Sequence, residues 1–170
     1  MDLESRVAEL ERRVAALEGA REAAPEPAGG PDAGDFWALE GLKALFDRAG
    51  VPDGGVLFTG AVRPTAGERY EWQYGLPTRA VLDEDWAPAA DVFAALGHPV
   101  RLRLLREILT GCRTVAELSE LDGVGTTGQI YHHLRQLTAA GWLHTTGRGR
   151  HEVPAGRVVP LLVMLAAARD

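Results

Sequence analysis

The chain has 170 residues, 46% of them apolar and 25% charged, with a formal net charge of −6. That length holds one domain with appendages or two small ones, and no apolar run approaches the roughly 20 residues a membrane span needs. A single cysteine, Cys112, excludes an internal disulfide, and the charged opening residues do not read as a secretory signal, so a cytoplasmic protein is expected.

Residues 2–18 read as a short coiled coil. Leu3, Val7, Leu10, Val14 and Leu17 are spaced 4, 3, 4, 3, the heptad rhythm with Val at a and Leu at d that favours a parallel dimer. Arg6 and Arg13 fall at g, and Glu11 and Glu18 at e, so each g position meets an opposite charge on the partner helix. Fewer than three heptads are marginal alone, and a second dimer contact is expected. Residues 19–34, rich in Pro and Gly without a large apolar side chain, read as a flexible linker.

Residues 35–85 predict a helix and a β-hairpin. Asp35 can cap a helix to about residue 48, with Phe36, Leu39, Leu42 and Phe46 on one face and Gly50 as the stop. Strand-like runs follow at 55–62 and 68–74, joined by a turn containing Pro64 and Gly67. In the second run Tyr70, Trp72 and Tyr74 alternate with Arg69, Glu71 and Gln73, which is strand periodicity. The aromatic face packs on a core or lines a ligand pocket; both readings are open at this point.

Residues 86–170 carry the constellation of interest. Helices are expected over 86–96 and 99–109, split by Gly97-His98-Pro99. Thr114 with Glu117, and Thr126 with Gln129, both fit the capping box, in which each side chain satisfies the other's free backbone N–H. The first opens a short helix with Val115, Leu118 and Leu121 as its apolar edge. After the turn 122–125, the second opens a longer helix ending near Gly141. Residues 142–146 and 150–153 then flank Gly147-Arg148-Gly149 as a small hairpin with a basic tip. Residues 157–168 form a final helix, apolar almost all round, that must be buried against something.

Two helices joined by a tight turn and followed by a basic hairpin is the order of a winged helix-turn-helix. The second helix of that motif keeps one face in the core and offers the other to a DNA major groove. Ile130, Leu134 and Leu137 make the core face. Thr126, Thr127, Gln129, Tyr131, His132 and Arg135, with Arg148 and Arg150 on the wing, are then the candidate DNA-binding residues. Gln can read adenine and Arg guanine, while hydroxyls and wing arginines suit the backbone or the minor groove. The charge distribution agrees. Residues 1–90 carry 9 Lys/Arg against 17 Asp/Glu, whereas residues 91–170 carry 9 against 7 together with all five histidines.

The stretch 94–105, AALGHPVRLRLL, resembles the opening of ArsR-type winged-helix repressors. Residues 114–118, TVAEL, resemble their first helix-turn-helix helix, and QIYHHLRQL at 129–137 followed by AGWL at 140–143 resembles their recognition helix and the start of the wing. The resemblance covers about residues 88–153. It implies a homodimeric repressor that leaves DNA on binding an effector, and a structural role for His133. Many such repressors sense metals through paired cysteines on the first of these helices, or through His and carboxylate ligands on the last one. Residues 114–121 hold no cysteine and residues 157–168 neither His nor carboxylate, so metal sensing does not carry over and no cofactor is expected.

The expected architecture is mainly α with small β-hairpins: a coiled coil over 1–18, a linker over 19–34, a helix plus β-hairpin extension over 35–85, and a winged helix-turn-helix over 86–170. The apolar final helix is expected to dimerise through Val158, Leu161, Leu162 and Leu165, beside Leu3, Val7, Leu10, Val14 and Leu17. The expected partners are double-stranded DNA, a second copy, and an effector the sequence does not identify; no membrane is among them. Catalysis is not expected. The only serines are Ser5 and Ser119, the Gly123–Gly128 cluster lacks the lysine of a phosphate loop, and Asp83-Glu84-Asp85 precede a helix, where carboxylates suit the N-terminal dipole. The rival reading is a winged-helix module that binds another protein, with the coiled coil for oligomerisation; the acidic total charge favours it.

Overall fold

The computed structural model describes residues 6, 7, 9, 12, 13 and 36–169, Arg148 by its backbone alone. Val7 is the one apolar a or d position among them, helical and 47% exposed. Leu3, Leu10, Val14, Leu17 and the linker 19–34 lie outside the described residues. The chain divides into two compact units, residues 1–45 and 46–170.

Helix α1, Trp37–Ala49, runs across that division. It stops at Gly50, whose φ of +65° is the left-handed conformation that ends a helix at little cost to glycine. Within the second unit, β1 (Gly55–Val62) and β2 (Tyr70–Pro77) pair antiparallel from Gly55↔Pro77 to Val62↔Tyr70. β2 therefore runs three residues beyond the expected strand. A single helical turn unforeseen in the sequence, α2 (Thr78–Leu82), follows directly. Its origin is tertiary rather than local. No side chain caps it, but Thr78 donates from N–H to the Gly54 carbonyl (3.0 Å) and from Oγ1 to the Asp53 carbonyl (2.9 Å), and Arg79 pairs with Asp53 at 2.5 Å.

Helices α3 (Ala87–Leu96) and α4 (Pro99–Leu109) meet at Gly97-His98. His98 is extended and caps α4, its Nδ1 accepting the Val100 N–H at 3.2 Å. Then come α5 (Val115–Ser119), α6 (Thr127–Ala139), β3 (His144–Thr146), a 3-10 turn at Gly147–Gly149, β4 (Arg150–Glu152) and α7 (Ala155–Ala167). The fold is mainly helical with two small antiparallel hairpins, the architecture of a winged helix-turn-helix.

One core unites these pieces. Leu104, Leu105 and Ile108 of α4, Leu118 of α5, Ile130, Leu134 and Leu137 of α6, and Val158 and Leu161 of α7 are each at most 2% exposed. Each such side chain removed from water contributes about 1.5–3 kcal/mol. Trp142, expected at the start of a strand, is instead a core residue at 0% exposure; its indole N–H donates to the Val92 carbonyl at 3.0 Å and Arg157 lies 5.0 Å over its ring.

Helix α7 does not present its whole apolar surface to a partner. Val158 and Leu161, two of the four residues expected at a dimer contact, are enclosed by the chain's own core, while Leu162 is half-buried and Leu165 is 39% exposed. The β1–β2 hairpin also packs on this helix. Gly60 lies so close to Val159 that a Cβ there would sit 2.6 Å from Cγ1, and the Trp72 ring reaches the space a Gly156 Cβ would face, at 3.6 Å.

Candidate nucleic-acid interface

The turn between α5 and α6 is built around Val124, which is 1% exposed and inserted into the core. Gly123 (φ +76°) and Gly125 (φ +94°) flank it in left-handed backbone, which a side chain would strain. Arg103 of α4 donates to the Asp122 carbonyl and holds the turn from outside. Both capping boxes are formed. Thr114 accepts from Glu117 N–H (3.3 Å) while Glu117 accepts from Thr114 N–H (2.8 Å); Thr126 accepts from Gln129 N–H (3.4 Å) while Gln129 accepts from Thr126 N–H (2.8 Å). These hydrogen bonds, first those from Thr114 and then that from Arg113, hold the Glu117 carboxyl below its ordinary range.

With Ile130, Leu134 and Leu137 fully inward, the polar residues of α6 are left outside. Thr127, Gln129, Tyr131, His132 and Arg135 are all exposed, Tyr131 at 52%. At 100° per residue, His132 and Arg135 lie about 140–200° round the helix from Ile130, at the centre of the outward face. Gln129 lies on its flank, with Oε1 already engaged in the cap. Thr126 is the cap itself.

Arg150 opens β4 and is half-buried, and Arg148 occupies the middle of the 3-10 turn at the wing tip. Helix α6 and the wing thus carry the predicted residues on two separate elements of the same unit.

Behind the outward face, His133 lies half-buried with its ring 4.7 Å from that of His98 and its Nδ1 buried without a hydrogen-bond partner. Burial, then the neighbouring His98, Arg101 and His132, push its pKa down.

Sequence reasoning missed Arg113. Its guanidinium bonds Glu68 of the β1–β2 turn and Glu152 of β4 (3.2 Å), its carbonyl accepts from His151 N–H (2.7 Å), and its own N–H donates to Glu117 (2.8 Å). One residue, its side chain 18% exposed, thereby fastens the extension hairpin and the wing through its guanidinium and the start of α5 through its backbone N–H. Its partners lie 45 and 39 residues away, so no local pattern marks it.

The aromatic stripe divides. Tyr70 packs against the core, whereas Trp72 and Tyr74 stay 43% and 48% exposed. Among the described residues no cluster of three or more His, Cys, Asp or Glu is arranged to hold a metal ion. No helix among them is long and apolar enough to cross a membrane.

A family model described as a helix-turn-helix domain matches residues 96–145, from the end of α3 to the start of the wing. No curated protein matches the chain. The matched segment contains α4, both capping boxes and the whole outward face of α6, and together with the winged architecture it supports a DNA-binding helix-turn-helix regulator of transcription.

Proposed function

We propose that the protein is a homodimeric, sequence-specific transcriptional repressor of the ArsR type that reads an operator with α6 and grips the flanking backbone with the wing. The observation that carries this reading is the division of α6: one face wholly buried, the other bearing Thr127, Tyr131, His132 and Arg135 in solvent, His132 meeting only the edge of the neighbouring His133 ring at 5.7 Å. Recognition helices have this form because groove contact needs a rigid helix with a polar outer face.

For the dimer, the support is the heptad pattern of residues 2–18 and an apolar groove lined by Phe93, Leu96, Leu102, Met164 and Leu165 at the C-terminal end of α7. In a two-fold dimer the two copies of α6 call for an inverted repeat with half-sites about one helical turn apart. An effector, if one acts, has the exposed edges of Trp72 and Tyr74 available. Trp72→Ala is expected to alter the response to it, and a variant that is only less stable would return the stripe to plain core.

The test is duplex binding by a Tyr131→Ala, His132→Ala, Arg135→Ala triple variant. Gln129 is left intact because its loss would also break the α6 cap. The variant is expected to keep its circular dichroism and lose specific binding. Wild-type affinity in a folded triple variant would remove α6 as the reader and favour a protein partner for the wing and helix. Arg148→Ala is expected to weaken all sequences alike and to reduce the salt slope by about 1.

A further inference from the structure

Gly128 stands in the first turn of α6 for no reason internal to the chain. Seven of the described glycines have positive φ, and others, such as Gly60 against Val159, are pressed by a neighbour. Gly128 is helical and exposed, and a Cβ built on it would come no nearer than 4.0 Å to anything, the closest atom being Thr126 Oγ1. Glycine is a poorer helix former than alanine, so the helix would be better made with a side chain there.

Its position supplies the missing reason. Gly128 lies about 160° round the helix from Ile130, in line with His132 one turn on. Helical side chains lean toward the N-terminus and cover the turn before their own Cα, so Tyr131 and His132 frame the bare backbone at Gly128 as a notch. The notch is rigid, because the Thr126–Gln129 capping box pins the turn on either side of it.

We propose that Gly128 is a specificity-determining contact: its bare backbone lets the first turn of α6 sit against the base-pair edges of the major groove, where any side chain would hold the helix away. This rests on the DNA-binding reading above and adds the depth at which α6 docks.

The experiment compares the full-length wild type with Gly128→Ala, Gly128→Ser and, as a control, Gly41→Ala, another helical glycine with open space around it. The probes are the duplex that the wild type enriches from a randomised library and a random-sequence duplex. Gly128→Ala is expected to melt no lower than the wild type yet to bind the enriched duplex about tenfold more weakly, the size of one lost base contact. Its binding to random duplex should change little. Gly128→Ser should behave alike, and Gly41→Ala should leave both affinities unchanged. Enrichment of a duplex that Gly128→Ala binds as the wild type does overturns this inference alone. So does a lower melting temperature in that variant, which would show a packing role. A wild type that enriches no duplex overturns the DNA-binding reading and this inference together.

Discussion

His133 shows how much one side chain can set for the outward face it does not belong to. Its ring packs at a tilt against that of His98, the cap of α4, and burial, His98, Arg101 and His132 all disfavour its charged form. Burial acts the same way on His151 of β4. In the unfolded chain both take a proton near the ordinary histidine pKa, about 6.5, whereas the folded chain resists until lower pH. Between those values the unfolded state binds more protons, so stability falls as pH drops below about 6.5 and is regained above it. Thermal melts from pH 8 to 5 should show the loss, and His133→Gln should flatten it. Glu68 loses stability in the same direction as pH falls, but because its charged form is favoured in the fold. The Arg113 guanidinium, the largest influence on it, holds its carboxyl low. That stability is complete above the ordinary carboxylate range and disappears as pH falls through the depressed folded value. Glu68→Gln should cost about 1–3 kcal/mol in denaturant unfolding at pH 7, and most of that cost should vanish in an Arg113→Met background.

At the level of elements, what was legible depended on how local its cause is. Thr114 with Glu117 and Thr126 with Gln129 act within four residues, and both boxes form as read. The inward set of Ile130, Leu134 and Leu137 follows from helical spacing alone. Leu134→Ala should accordingly destabilise by about 2–5 kcal/mol in chemical denaturation. The turn α2 escaped because its hydrogen bonds go to Asp53 and Gly54, some 25 residues back. Trp142 escaped because a strand-like pattern does not say that its indole reaches the carbonyl of Val92. Val158 and Leu161 go to the chain's own core, which a uniformly apolar α7 does not reveal, since its pattern does not say which side the β1–β2 hairpin and the core take. The close approach of β1 to α7 sets a further test. Gly60→Ala forces a methyl group onto Val159 and should lower stability by about 1–3 kcal/mol, with the melting curve as the measurement. The outward position of Thr127, Tyr131, His132 and Arg135 was legible from the same spacing, and Gln129, read from the sequence both as cap and as base reader, has its Oε1 engaged in the cap.

For the whole molecule, the proposed coiled coil is tested by charge placed in its seam. If residues 2–18 pair as a coiled coil, Val7→Asp with Val14→Asp places charges in the seam, and sedimentation should show a dimer weakened but still held by the groove at Leu165. An unchanged dissociation constant would discard the coiled coil. The uneven charge also predicts that DNA affinity falls steeply with salt despite an acidic total, because counterion release depends on the basic face alone. The β1–β2 hairpin is complete at Pro77, about 80 residues before Val159 of α7 is made. At synthesis rates of about 5–20 residues per second that is a delay of roughly 4–16 s. A two-stranded hairpin is marginal alone, and until α7 arrives Gly60 and Trp72 lack their neighbours Val159 and Gly156. The nascent chain therefore passes through a stage in which an aromatic sheet face is open to chaperones or to a neighbouring copy, and translation of residues 78–160 sets how long that stage lasts.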